Sequence, residues 1–186
     1  IAASQPSLSL LARSWPDRDV WRTRARAKVY ELLAFDPIRI PLNAHVDSRR
    51  EEGDLVVEGI SYDMPYGPRA QGFFLYPKGR NGKLPAVVAL HDHGGFFYYG
   101  KEKVTAIAGE PRILTEFKGE CYGGRSWAFE LAKRGFAVLT VDLFLWGSRK
   151  IPIDSRSEGF RERFLGLKEG TDKYVQEYHA LAAEHE

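Results

Sequence analysis

The residues with the clearest chemical potential form a turn, HDHGG at positions 91–95, which follows a short apolar run. Backbone N–H groups fixed at the end of a buried strand can stabilise the oxyanion of an acyl-transfer intermediate by about 3 kcal/mol each. Gly94 and Gly95 let a substrate approach the backbone closely, because glycine has no Cβ. We therefore predict that the turn supplies an oxyanion donor. The N–H of His93 is the first candidate, and the N–H groups of Asp92 and Gly94 are the next.

The two histidines of this turn allow a second interpretation. His91 and His93 are alternate residues, which share one face of an extended segment and could bind one metal ion. A metal site needs a third ligand, and the remaining histidines have no spacing that supports one: His45, His179 and His185. We predict no metal and no cofactor, and a metal-dependent hydrolase using His91 and His93 stays the least favoured alternative. A glycine-rich strand end without chemistry is the simplest alternative.

Four consecutive aromatic residues, FFYY at positions 96–99, follow the turn directly. Such a group can line a surface for an apolar acyl group or a sugar, although aromatic clusters are more often part of a core. A later loop at positions 142–149, DLFLWGSR, adds further candidates for a pocket wall. The predicted substrate-binding side chains are Phe96, Phe97, Trp146 and Arg149.

Ser126 lies in the segment GRSWA, positions 124–128, which imitates the nucleophile elbow G-x-S-x-G with alanine at the last position. An elbow requires a strand directly before the serine, so that a strained turn lifts the hydroxyl above the sheet. The preceding residues, ECYG, make a poor strand. Ser126 is therefore expected to be the N-cap of the following helix, with its hydroxyl accepting a hydrogen bond from the N–H of Ala128 or Phe129.

Asp142 ends an apolar run and could be mistaken for the acid of a catalytic triad. In the hydrolases that use a nucleophile elbow, the acid follows the nucleophile along the chain. Asp142 precedes any plausible nucleophile, so we expect it to hold the loop at positions 143–149 in place.

The elements that must position these residues follow from the hydrophobic pattern. Two β-rich runs, at positions 54–62 and 69–76, are joined by a Pro/Gly turn and predict an antiparallel hairpin. Two continuous apolar runs, at positions 84–90 and 136–141, are typical of parallel strands covered on both faces. A helical segment at positions 126–134 joins these two runs in a right-handed crossover. The predicted fold is α/β: a mixed sheet, an antiparallel hairpin then parallel strands, with flanking helices.

The rest of the chain is predicted to be helical or irregular. Positions 17–35 and the segment after position 157 have charged, helical patterns. Positions 94–123 predict a long loop, which in a compact domain is usually functional or mobile. The predicted domains are an N-terminal helical extension at positions 1–42 and a larger α/β domain at positions 43–186.

Composition excludes several classes of function. The chain has 186 residues, of which 44% are hydrophobic, and its 27 basic and 25 acidic residues give a net charge of +2. This balance gives no indication of nucleic-acid binding, and no apolar run approaches the roughly 20 residues of a membrane-spanning helix. The single cysteine excludes an internal disulfide. A cytoplasmic location is expected, with secretion after removal of a leader left open.

Three segments of the chain resemble the α/β-hydrolase superfamily, and within it the acetyl-xylan-esterase and dienelactone-hydrolase-like branch. They are AVVALHDHGG, WAFELAKRGFAVLTVD and DLFLWGSR, and the resemblance covers positions 54–149. It implies a serine hydrolase of acetyl esters or lactones, with a serine nucleophile, an acid and a histidine in that chain order. It also implies one oxyanion donor from the turn and one from the residue after the nucleophile. The family's usual His-Gly is His91-Asp92 here.

The resemblance and the sheet together imply that positions 43–186 are the N-terminal half of an α/β-hydrolase domain, truncated before the nucleophile elbow. The catalytic triad is expected beyond the end of this sequence, so the chain alone is expected to be inactive. An open apolar edge is expected beside positions 136–141, covered by the remainder of the same polypeptide or by a homo-oligomer. The expected small-molecule partner is an ester. A catalytically silent, hydrolase-like binding domain is the main alternative.

Overall fold

The computed structural model describes residues 6–11, 14–34, 38–79 and 82–183. The chain forms two compact units, Ile1–Arg39 and Ile40–Glu186. The first unit contains helix α1 (Arg18–Leu33), whose N-terminus is capped by the Asp17 carboxylate, 2.8 Å from the N–H of Val20. Within this unit the indole of Trp21 donates a hydrogen bond to the carbonyl of Leu8, at 2.9 Å.

The second unit is built on one five-stranded mixed sheet. The strands are β1 (His45–Glu52), β2 (Leu55–Tyr62), β3 (Ala70–Pro77), β4 (Ala86–Ala89) and β5 (Ala137–Val141). Their order in the sheet is β1-β2-β3-β5-β4. The pairs β1–β2, β2–β3 and β3–β5 are antiparallel, whereas β5 and β4 are parallel.

In the described part of the second unit there are four α-helices. Helices α2 (Arg112–Tyr122) and α3 (Trp127–Lys133) lie in the connection between β4 and β5. The remaining two follow β5: α4 (Glu158–Glu162) and α5 (Asp172–Ala183). Within the described residues, no helix combines the length and apolar character that crossing a membrane requires.

The main predicted elements are confirmed. Strands β2 and β3 form the antiparallel hairpin, with Val57 opposite Leu75, and β4 and β5 pair in parallel, with Val87 beside Val138. The pattern was informative here because apolar residues alternate or run continuously wherever a strand faces the core. The mixed α/β sheet with flanking helices is therefore established by the structure.

Two elements differ from the prediction. Strand β1 was not predicted, because seven of its eight residues are exposed and its sequence, HVDSRREE, has no apolar face. The long loop predicted at positions 94–123 contains α2, an amphipathic helix whose buried side includes Leu114 and the charged residue Lys118. Because Lys118 occupies a buried position of α2, the apolar residues alone do not show the helical periodicity.

The predicted position of the open edge was also wrong. Strand β5 lies between β3 and β4, so both of its sides are paired. The sheet instead ends at β4 among the described strands, and Val88 and Leu90 are 64% and 56% exposed. The prediction that both faces of this apolar run are covered does not hold in this chain.

The core lies between the sheet and α3. Side chains from β2, β3 and β5 meet the buried face of α3, which consists of Ala128, Phe129 and Ala132. The fully buried residues contributed by the sheet side are Leu55, Val57, Leu75 and Val138. A second cluster links the segment after β4 to α2 and α5.

Replacing leucine by alanine should destabilise the protein at a buried position of this core and much less at an exposed position. Leu75→Ala should lower the free energy of unfolding by about 2–5 kcal/mol, because Leu75 is completely buried in β3 and truncation leaves a cavity. Leu165→Ala is the matched control, since Leu165 is 77% exposed, and should cost less than about 0.5 kcal/mol. Urea denaturation measures both, and equal losses would show that this core is misplaced.

Candidate functional site

Two loops meet at the carboxyl edge of the parallel strands. Because β4 and β5 are parallel neighbours, the segments that follow them emerge on the same side of the sheet. The first segment begins with the HDHGG turn, and the second is the loop at positions 142–149. The Nε1–H of Trp146 donates to the carbonyl of His93 at 3.2 Å, and the N–H of Gly147 donates to that of Phe97 at 3.1 Å. The candidate site is therefore held by both loops.

His91 is a buried bridge between the loops. Its Nδ1 lies 2.8 Å from the carbonyl oxygen of Asp92, and its Nε2 accepts a hydrogen bond from the N–H of Leu143 at 3.3 Å. This pattern defines a neutral ring with the proton on Nδ1. Burial lowers the pKa of His91 below its ordinary value, which agrees with the neutral form.

The same contacts argue against the metal interpretation. Both ring nitrogens of His91 are engaged by the backbone, so the ring has no lone pair left for a metal ion. Among the residues that the structure describes, no cluster of three or more potential metal ligands is found.

Asp92 fixes the turn through two hydrogen bonds with the side chain of Tyr122. Its N–H donates to the hydroxyl of Tyr122 at 3.2 Å, and that hydroxyl donates in return to the Asp92 carboxylate. The N–H of Asp92 is therefore engaged and is removed from the predicted oxyanion donors. Burial raises the pKa of the Tyr122 hydroxyl, and its hydrogen bond to the carboxylate of Asp92 adds to the effect, so Tyr122 remains a donor.

His93 and Gly94 are the donors that fit the geometry. The carbonyl oxygens of Asp92 and His93 lie 3.3 and 3.1 Å from the Nζ of Lys103, which is completely buried. In a trans peptide the N–H points opposite to the preceding carbonyl, and none of the described peptide bonds is cis. The N–H groups of His93 and Gly94 therefore point away from the buried ammonium group. Both residues are exposed.

Two of the predicted aromatic residues lie beside this turn. The rings of Phe97 and Trp146 are stacked with centroids 4.6 Å apart, and the His93 ring meets both edge-on at 5.4 and 5.0 Å. They form an aromatic wall next to the candidate donors. Phe96 is 3% exposed and packs on Phe117 in the second core cluster, so it does not belong to this wall.

Arg149 has different neighbours. Its guanidinium group lies over the ring of Phe144, 5.5 Å from the centroid. The Nε of Arg149 is buried and has no hydrogen-bond partner among the residues that the structure describes. The prediction that it binds substrate stays a prediction, because none of its described contacts involves the turn.

The Asp142 carboxylate fixes the second loop, which confirms its predicted structural role. It accepts hydrogen bonds from the N–H and the Nζ of Lys101, both at 2.8 Å, and from the N–H and hydroxyl of Ser148, at 2.9 and 2.7 Å. Burial alone would raise the pKa of Asp142, but the Lys101 ammonium group and these donors outweigh it and lower the pKa. The pKa of Lys101 is raised against the effect of burial, by Glu102 and Asp142.

Ser126 is not in a nucleophile elbow, since the element before it is helix α2 rather than a strand. The predicted cap contact was wrong, however. The N–H of Ala128 donates to the carbonyl of Val104, and the Ser126 hydroxyl accepts from the Nζ of Lys118 at 3.2 Å. Lys118 is also paired with the carboxylate of Glu110.

Three residues at the site were not predicted from the sequence. Lys103 and Tyr122 hold the turn from below, and the Nδ1 of His179 in α5 lies 2.8 Å from the carbonyl oxygen of Gly95. Lys103 lies in KEK, which is typical of a solvated surface, and the other two are 30 and 84 positions from their partners. No local pattern indicates such contacts.

Comparisons with known proteins agree with a hydrolase-like fold. No family model matches the chain. A Bacillus subtilis (strain 168) protein named "Putative hydrolase YtaP" is 29% identical over 144 residues, which cover 77% of this chain and 44% of that protein. A crystal structure of a "putative acetyl xylan esterase" from Bacteroides fragilis superposes with a TM-score of 0.55 and 17% identity, over 90% of this chain and 42% of that one.

The superposition on the Bacteroides fragilis structure shows that the two chains share a fold. A structure of an acetyl xylan esterase from Paenibacillus sp. R4 is 20% identical, over 73% of this chain and 34% of its own, with a TM-score of only 0.34. The chain spans less than half the length of each of these relatives.

The Asp142 contacts predict a severe effect at Gly147. Gly147 has a φ of +56°, and an added Cβ would lie 2.4–2.7 Å from the Asp142 carboxylate, which is held from several sides. Gly53→Ala is the control, because Gly53 has a φ of +57° and nothing near its Cβ position. Both substitutions should cost about 1–2 kcal/mol of unfolding free energy for the left-handed backbone. Gly147→Ala should cost at least about 2 kcal/mol more, because it disturbs a buried ion pair.

Urea denaturation of the two variants tests this difference. Equal losses would mean that the carboxylate moves aside freely and does not hold the loop.

Proposed function

We propose that this chain supplies the front part of a serine-type hydrolase that acts on carboxylic esters, of the acetyl ester or lactone class. The observation that carries the proposal is the orientation of the turn after β4. The carbonyls of Asp92 and His93 face the buried Lys103, so the N–H groups of His93 and Gly94 face the opposite side. Donors fixed before the reaction are what an oxyanion hole requires.

The aromatic side chains beside the turn also suit an ester substrate. Phe97 and Trp146 form an aromatic wall beside His93, suited to a small apolar acyl group. The names of the relatives support the same chemistry, since one is called a hydrolase and the superposed structure an acetyl xylan esterase. The serine nucleophile, acid and histidine of the proposed enzyme come from another part of the polypeptide, as the family resemblance implies.

A catalytically silent binding domain is the second candidate. It is favoured by the hydrogen bonds that Ser126 and two histidines form. The Ser126 hydroxyl is held by Lys118, and His91 and His179 each place a ring nitrogen on a backbone carbonyl. None of these three side chains forms a serine–histidine pair with another. The two candidates differ in whether the natural full-length protein turns over esters.

We also propose that a further strand of the same polypeptide pairs with β4. Val88 and Leu90 are exposed at this edge, and a parallel strand with an open apolar edge invites association. The greater length of the relatives supports an occupant from the same chain over a second copy.

The proposed activity is tested on the natural full-length protein with aryl acetates. It should hydrolyse them at an enzymatic rate and lose that activity when treated with a serine-directed organophosphate. Ser126→Ala should retain activity within a few fold, because the Ser126 hydroxyl only accepts a hydrogen bond from Lys118. Losing that hydrogen bond should lower the free energy of unfolding by roughly 1 kcal/mol. Complete loss of turnover in a folded Ser126→Ala protein would identify Ser126 as the nucleophile. Absence of hydrolysis in the unmodified protein would favour the silent domain.

The open edge predicts how the isolated 186-residue chain behaves. It should hydrolyse esters no faster than buffer does, because the donors alone give a small part of the full acceleration. It should also self-associate with increasing concentration in analytical ultracentrifugation. Val88→Lys should reduce this association, whereas Val46→Lys, on β1 at the opposite edge and 60% exposed, should not. Equal effects of both variants would rule out β4 as the contact.

A further inference from the structure

We propose that Lys103 is a positioning residue of the oxyanion turn: its buried ammonium group holds the carbonyls of Asp92 and His93 and thereby directs the N–H groups of His93 and Gly94 toward the substrate. The inference rests on the proposed function. The two contacts, 3.3 and 3.1 Å long, engage consecutive carbonyls, so a single cation sets the orientation of two consecutive peptide planes.

The environment of Lys103 differs from that of the other two buried lysines of this unit. Lys101 has the Asp142 carboxylate at 2.8 Å, and Lys118 is paired closely with Glu110. Lys103 also forms an ion pair, but with the carboxylate of Asp92 in the turn itself and at the longer distance of 3.6 Å. Its ammonium group is completely buried, and it donates hydrogen bonds of 3.3 and 3.1 Å to two backbone carbonyls of the turn. Burying a cation is costly unless its donors are satisfied, and all of these partners of Lys103 belong to the turn.

Two aromatic rings complete the cage around this cation. The Nζ lies 5.1 Å from the ring centroid of Phe117 and 5.8 Å from that of Trp146. Trp146 also donates to the carbonyl of His93, so the same oxygen is held from two sides. The cation therefore connects the turn after β4 with α2 and with the loop after β5.

The charge of Lys103 is sensitive to pH. Burial lowers the pKa of Lys103 to about 8, with Asp92 acting in the opposite direction. The titratable groups that face it are Asp92 and His91 from the turn and Cys121 from α2, while the loop after β5 contributes the uncharged Trp146. As the pH rises through about 8, the ammonium group becomes an amine with one donor fewer and no charge. The hold on the two carbonyls then weakens.

This titration separates positioning from a general structural role. The folded state binds the Lys103 proton less tightly than the unfolded state, so stability should rise between pH 8 and the ordinary lysine pKa. Oxyanion stabilisation should fall over the same range, because the protonated form holds the turn. Activity and stability therefore change in opposite directions.

The first test uses the full-length protein and steady-state hydrolysis of an aryl acetate. Lys103→Met should lower kcat by roughly 10- to 100-fold with KM changed less than about 3-fold, because losing an oxyanion donor outright costs about 10²–10³-fold in kcat. Lys118→Met is the matched control, since Lys118 also holds a backbone carbonyl, that of Thr105, but lies outside the turn. It should leave kcat within about 3-fold. Equal kcat losses in both variants at pH 7 would overturn the inference.

The unmodified protein should also show an alkaline fall in kcat with an apparent pKa near 8, at constant or rising thermal stability. A flat kcat between pH 7 and 9.5 would overturn the positioning role.

A second test needs neither a variant nor turnover. In ¹³C-detected NMR spectra, the carbonyl carbons of Asp92 and His93 should shift together with a midpoint near pH 8, while that of Thr105, held by Lys118, should not. This titration would stand even if the protein hydrolysed no ester, which would refute only the proposed function. Carbonyl shifts that are independent of pH would refute the hold of Lys103 on the turn.

Discussion

At the carboxyl end of β5, one buried carboxylate joins two segments that are far apart in the sequence. Asp142 accepts hydrogen bonds from Lys101, which follows the aromatic residues after β4, and from Ser148 in its own loop. Parallel pairing of β4 and β5 brings these segments to the same edge of the sheet, but pairing alone does not fix their conformations. The Asp142 contacts do, and the close approach of Gly147 to this carboxylate shows how little space the junction leaves.

The remaining polar groups of the site depend on that junction. Once the two loops are held together, His91 can link Asp92 to Leu143 as a neutral ring, and Trp146 can reach the carbonyl of His93. The buried ammonium groups of Lys101 and Lys103 then have different structural roles. Lys101 neutralises Asp142, whereas Lys103 contacts backbone carbonyls of the turn. In this arrangement, the stability of the loops and the orientation of the candidate donors have a common physical origin.

Sequence analysis predicted the parts of the fold that depend on local apolar patterns. The β2–β3 hairpin, the parallel pair and α3 have such patterns, whereas β1 is polar and α2 contains a buried lysine. Within the site, the glycines and the position after β4 identified the turn. The partners of the turn, Lys103, Tyr122 and His179, could not be predicted, because their roles depend on contacts that only the folded chain creates. The engagement of the Asp92 N–H by the Tyr122 hydroxyl was unpredictable for the same reason.

The most direct measurement of the central claim is a crystal structure of the full-length protein after reaction with a serine-directed organophosphate. The phosphoryl oxygen of the adduct imitates the oxyanion of the tetrahedral intermediate. The account predicts that this oxygen lies about 2.7–3.1 Å from the backbone nitrogen of His93 or Gly94, with Lys103 still in contact with the two carbonyls. An adduct on Ser126, or a phosphoryl oxygen bound by groups outside this turn, would contradict it.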